Sequence, residues 1–103
     1  MDTKKIRYML VASMFLMASS GVVSAAGDAA AGAGKAAQCS SCHGANGEGS
    51  GANPKIAGMD QGAFVKAMND YKSGARKHMM MEMFAKKLSD QDNADLAAFY
   101  AAK

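Results

Sequence analysis

The sequence from residue 26 onward predicts a small all-α fold, three to five short helices wrapped around something that is not protein. Three observations predict it. Apolar residues recur at helical spacing in two stretches, no run of β-branched and aromatic residues marks a strand, and the large apolar side chains are few. Val, Leu, Ile and Phe after residue 25 amount to Ile56, Phe64, Val65, Phe84, Leu88, Leu96 and Phe99. A single core in so short a domain supplies at most ~3–5 kcal/mol. Intrinsic disorder would bring high net charge and no periodic apolar face. Neither is seen, so the middle is expected to hold a staple or a cofactor.

Residues 1–25 read as a secretory signal peptide and residues 26–103 as the folded domain. Lys4, Lys5 and Arg7 form a basic start, Tyr8 to Met17 an apolar stretch, and Val23, Ser24 and Ala25 supply small residues before a cut at Ala26. The rival is an uncleaved membrane anchor, since Tyr8 to Ala26 approaches the ~20 residues of a span. Ser13, Ser19, Ser20 and Gly21 interrupt that run. Of the formal net charge of +3, Lys4, Lys5 and Arg7 against Asp2 carry two units, leaving +1 for residues 26–103. With no clustered basic patch, nucleic acid is not an expected partner.

The elements follow in order. Asp28 can cap an Ala/Gly-rich helix running to about Cys39, whose Gly32 and Gly34 would let another helix approach closely. Residues 44–59 contain Gly44, Gly47, Gly49, Gly51, Gly58 and Pro54 and fit neither helix nor strand. A structureless stretch of that length is expected to wrap something. Asp60 opens a helix with Phe64, Val65, Met68 and Tyr71 on one stripe, and Gly74 ends it. The last helix starts at Ser89, with Asp90 and Asp92 favoured by the macrodipole and Leu96, Phe99 and Tyr100 on one face. These stripes are read as core.

Cys39-Ser40-Ser41-Cys42-His43 supplies the missing cofactor, for C-x-x-C-H in an exported chain is the signature of covalent haem attachment. Residues three apart share a helical face, so both thiols can reach one porphyrin edge. His43 then stands as the proximal ligand of the iron. A disulfide oxidoreductase would need a βαβ context. Zinc would need four ligands, and beyond Cys39, Cys42 and His43 only His78 is an evident donor. A disulfide closing so short a loop would stabilise little.

Met79-Met80-Met81-Glu82-Met83 is the most unusual segment. Methionine runs commonly serve as adaptable core filler. Beside a c-type haem they take another meaning, because a thioether is the sixth ligand that pairs with histidine in electron-transfer cytochromes. One of these four is expected on the iron. His78, next to Lys77, is read as a surface histidine rather than a second axial ligand.

Together these residues resemble the small class I c-type cytochromes of bacteria, single-haem proteins whose module also occurs twice in tandem in two-haem periplasmic carriers. The resemblance covers essentially all of residues 26–103. It rests on Ala26-Gly27-Asp28, Cys39 to Gly44, Asn53-Pro54-Lys55-Ile56-Ala57-Gly58, the Met80-Met81 pair, and Leu88-Ser89-Asp90 leading into Asp95 to Tyr100. It implies the class I cytochrome c fold around one covalent haem c with its iron. It also implies Met81 as the axial methionine, seven residues before Leu88, with Met80 and Met83 as alternatives, because three methionines stand in a row here and Glu82 precedes Met83. The Pro54 carbonyl would accept the Nδ1–H of His43, and the terminal helices would cross, Phe99 or Tyr100 meeting Gly32 and Gly34.

The function expected from this is a soluble periplasmic electron carrier, not an enzyme. It would exchange single electrons with redox protein partners, a donor and an acceptor such as a membrane oxidase, a reductase or a dehydrogenase. Lys55, Arg76, Lys77, Lys86 and Lys87 could steer an acidic partner or form an ordinary solvated face. A monomer without membrane insertion after signal removal is expected. The other readings are a dedicated haem subunit of a periplasmic oxidoreductase, and a gas-binding or peroxidase-like haem protein, which would need a vacant sixth site.

Overall fold

The computed structural model describes residues 27–103, and the segment read as a signal peptide, with its expected cut at Ala26, lies outside the described residues. Five helices follow one another: α1 (Ala29–Lys35), α2 (Ala37–His43), α3 (Gln61–Ser73), α4 (Met79–Lys87) and α5 (Asp90–Ala101). Among the described residues the only extended pairing is an isolated bridge between Ser50 and Asn53.

Helix α1 starts at Asp28, whose carboxylate accepts the N–H groups of Ala30 and Ala31. The helix expected to stop near Cys39 runs on to His43 with one tightened step at Ala36, whose carbonyl accepts from both Cys39 and Ser40. Gly44, at φ 93, is the stop. A residue with a Cβ is strained at that dihedral, so the helix ends where glycine appears.

The glycine-rich loop is tied down rather than loose. The Gly47 carbonyl accepts the N–H groups of Ile56 and Ala57, the His43 carbonyl accepts that of Gly49, and the Tyr100 carbonyl accepts that of Gly58. Gly47 sits at φ 74, and a Cβ there would lie 2.8 Å from the Tyr100 ring. The loop thus passes flush against α5 only because that position has no side chain.

Helix α3 is capped by Asp60, which accepts the Ala63 N–H, and closed by Gly74 in the left-handed region. Its Phe64, Met68 and Tyr71 are buried. Helix α4 was not legible as a helix and covers the methionine run. Helix α5 opens with a full capping box between Ser89 and Asp92. It carries the centre of the core, Leu96, Ala97 and Tyr100 being almost wholly buried. Phe64 stacks on Tyr100 with ring centroids 5.9 Å apart, and Phe99 meets Tyr100 edge-on at 5.0 Å. Each such side chain contributes about 1.5–3 kcal/mol through burial.

The terminal helices cross at Gly32, not at Gly34. A Cβ on Gly32 would lie 2.1 Å from the Asp95 carbonyl oxygen and 2.8 Å from the Phe99 Cβ, whereas one on Gly34 would meet nothing within 4 Å. Gly34 is therefore solvent side, contrary to its expected place in the contact. Lys35 closes the crossing, its Nζ 2.6 Å from Asp95 and 2.9 Å from Asp92. Asp95 also accepts the Asp28 N–H and the Gln91 side-chain amide, both at 2.8 Å. Those bonds, the Lys35 ammonium first, hold the Asp95 carboxyl down to about 2.

Candidate functional site

A cavity of about 280 Å³ opens between α2, the glycine-rich loop, α3 and α4. Its floor is apolar, built from Phe64, Met68, Leu88 and Leu96, with Ile56 and Pro54 from the loop. Onto it α2 brings Cys39, Cys42 and His43, and α4 brings Met80, Met81 and Phe84. Met83 is not among the residues lining it, and neither is Met79. The helical period accounts for the split: at about 100° per residue, Met80, Phe84 and Met81 follow one another around the side of α4 that meets the cavity, with Met80 at its edge, and Met79 and Met83 lie together beyond that edge. Met79 is 83% exposed, Met80 46% and Met83 45%, while Met81 packs against the core.

His43 is buried, and its Nδ1 lies 2.8 Å from the Pro54 carbonyl oxygen. That oxygen can only accept, so in the neutral ring Nδ1 carries the proton and Nε2 is left with a free lone pair. Ser50 Oγ donates to the Cys42 carbonyl at 3.0 Å, and the Gly49 N–H donates to the His43 carbonyl at 2.7 Å. The loop thereby fixes the last turn of α2 from outside the cavity.

Cys39 and Cys42 form no disulfide with each other, and Cys39 is half-buried and Cys42 exposed. Burial pushes the Cys39 thiol up, and it does the same to the Tyr100 hydroxyl beside it. No group of three or more His, Cys, Asp or Glu side chains is placed to hold a bare metal ion among the described residues. The donors here are instead the buried imidazole of His43, the exposed one of His78 at the rim, two cysteine sulfurs and thioether sulfurs, converging on one apolar cavity. That donor set fits a metal carried inside a large apolar group attached through the thiols, which is what haem c is.

The residues singled out in the sequence, Cys39, Cys42, His43 and Met81, all line this cavity, but much of its enclosure was not foreseen. Gln38, Met59 and Ala67 line the cavity without any spacing that announces it. His78 is exposed, as expected of a surface histidine, and in addition it lines the cavity and starts α4.

Fold and donor set define a haem c protein, and comparison with known proteins agrees. The cytochrome c family profile matches residues 29–101, so the chain belongs to the cytochrome c family and takes covalently bound haem c with its iron. It is 44% identical over 96 residues to cytochrome c4 of Pseudomonas aeruginosa, an alignment spanning 92% of this chain and 48% of that one. It is 38% identical over 82 residues to cytochrome c-554(548) of Halomonas halodenitrificans, spanning 76% of this chain and 99% of that one. The structure superposes on reduced cytochrome c4 from Pseudomonas stutzeri with a TM-score of 0.71 at 38% identity, covering 76% of this chain and 46% of that one. The chain thus spans about half the length of the cytochrome c4 relatives it matches.

Proposed function

We propose that residues 26–103 form an electron carrier that works in the periplasm after residues 1–25 have directed its export, passing single electrons between a protein donor and a protein acceptor. The single observation that carries this reading is the convergence of His43 and Met81 on one apolar cavity beside Cys39 and Cys42. Cys39 and Cys42 are read as the two thioether attachments. His43 is read as the proximal ligand through Nε2, held in that tautomer by the Pro54 carbonyl, and Met81 as the distal ligand. Met80 also lines the cavity and is the nearest alternative; Met83 lacks that support.

Haem c bound there supplies one-electron exchange between ferric and ferrous iron. The chain's own residues determine how that exchange is used. With the His43 imidazole and the Met81 thioether both holding the iron, no position would be left for a substrate, which favours a carrier over a catalyst. The apolar floor excludes water, and neutral sulfur and nitrogen donors in such surroundings favour the reduced state. No helix among the described residues is long and apolar enough to cross a membrane. Exchange as a monomer with separate partners is part of the same proposal.

The test is the optical spectrum of exported, matured protein, oxidised and reduced, with and without carbon monoxide, for wild type and Met81→Ala. The expected result is a low-spin six-coordinate haem that shows no shift at low carbon monoxide concentration until Met81 is removed. A carbon monoxide shift in the wild type at that concentration would instead indicate a labile sixth site and a gas-binding or catalytic protein.

A further inference from the structure

Helix α4 carries Met81, yet it is only nine residues long. An isolated helix below about 12–15 residues is marginal in water, so the placement of Met81 depends on what holds the ends of α4. At the far end the Leu88 carbonyl accepts from Lys72 Nζ of α3 at 2.5 Å. At the near end the backbone of His78 is extended, and its Nδ1 accepts the backbone N–H of Met81 itself at 3.3 Å. Glu82 closes the ring: its carboxylate accepts the His78 N–H at 3.2 Å, while its own N–H donates to the His78 carbonyl at 2.8 Å. Helices α3 and α5 are started by an aspartate and a serine, side chains suited to that position. Histidine is not in that set, and here it also lines the cavity.

We propose that His78, backed by Glu82, is a positioning residue for the Met81 thioether: it fixes the backbone from which that side chain reaches into the cavity. The proposal rests on reading Met81 as the distal ligand. Its consequence is specific. Loosening the cap raises the fraction of molecules whose methionine is off the iron, and an external ligand gains apparent affinity by that same factor.

The experiment measures the apparent affinity of reduced holoprotein for carbon monoxide in wild type, His78→Ala, His78→Asn, Asp60→Ala and Met81→Ala, each with its thermal midpoint. Loss of a helix cap of ordinary strength predicts that His78→Ala binds carbon monoxide about fivefold more tightly. His78→Asn, whose side-chain oxygen can also accept the Met81 N–H, should return the affinity to the wild-type value. Asp60→Ala removes the cap of α3 and should lower the midpoint while leaving carbon monoxide affinity unchanged. His78→Ala behaving as wild type while Met81→Ala opens the iron overturns the positioning role alone. An Asp60→Ala effect equal to that of His78→Ala overturns it too, by making it general destabilisation. Should Met81→Ala fail to change carbon monoxide binding, the ligand assignment falls and the proposal with it.

Discussion

The crossing of α1 and α5 and the wall between α3 and α4 are built on opposite principles. At the crossing the charged groups find their partners within the chain: the Asp95 carboxylate has an ammonium, a backbone N–H and an amide, and Gly32 lets the two helix backbones touch. The cavity wall leaves its strongest groups unused by the protein, two cysteine sulfurs and several thioethers. One region completes its interactions on folding, whereas the other requires something to be added. The fold is therefore only half specified by side chains, and its stability should divide the same way.

The largest effect tests that division directly. In the double variant Cys39→Ser, Cys42→Ser the haem cannot be attached, and the few large apolar side chains face a void rather than a cofactor. Small domains with such cores retain close to no net stability. We expect loss of cooperative thermal unfolding by circular dichroism. A sharp transition in the haem-free chain would show that the α1–α5 crossing is self-sufficient.

A smaller but still large effect is expected from attacking the crossing while leaving the cavity intact. Gly32→Ala places a Cβ 2.1 Å from a backbone oxygen of α5, which cannot swing aside as a side chain would. Overpacking of this kind costs about 3 kcal/mol, well beyond the ~1 kcal/mol that alanine gains over glycine in helix propensity. Gly34→Ala, open to solvent, should instead raise stability slightly. Chemical denaturation of the two holoproteins checks the contrast, and equal behaviour would remove Gly32 from the contact.

Next in size is acid sensitivity. The folded Asp95 carboxyl lies at about 2, held there first by Lys35, against about 3.9 for an unfolded aspartate. A depressed folded value means stabilisation that is complete above the unfolded value and fades as pH falls from about 4 toward 2. Asp92 is lowered by the same lysine and acts in the same direction. Asp95→Asn should therefore flatten the acid limb of stability against pH while leaving the carbon monoxide behaviour of the haem unchanged. An unaltered acid limb would assign that limb to other carboxylates.

How legible each region was follows from the same contrast. The motif Cys39-Ser40-Ser41-Cys42-His43 was plain because covalent haem attachment demands fixed spacing, and α3 and α5 were plain because their apolar stripes repeat at helical period. Helix α4 was hidden: its cap is a histidine, and a methionine run suggests ligands before it suggests helix, although methionine is a good helix former. The continuation of α2 through His43 was hidden because glutamine and serine on its surface carry no apolar stripe. Gly32 and Gly34 look alike in sequence, and only the rotation of α1 against α5 distinguishes them.

Asn93 yields the smallest prediction and shows where pattern reading fails. Asn93, Leu96, Ala97 and Tyr100 occupy positions i, i+3, i+4 and i+7 of α5, and all four are buried. A periodic search passes over the first because it is polar, yet Asn93 is fully buried with neither its Oδ1 nor its Nδ2 hydrogen-bonded. An unpaired buried amide costs about 1–3 kcal/mol, and replacing it with an apolar side chain of similar size recovers part of that. Asn93→Leu should therefore stabilise the holoprotein by about 1 kcal/mol, raising the thermal midpoint by about 4–8 °C in a domain of this size. The gain should appear without any change in the haem spectrum, because Asn93 does not line the cavity. A lowered midpoint would mean that the amide is partnered in the haem-bound protein, and would move Asn93 from the self-completing half of the molecule to the half that depends on its cofactor.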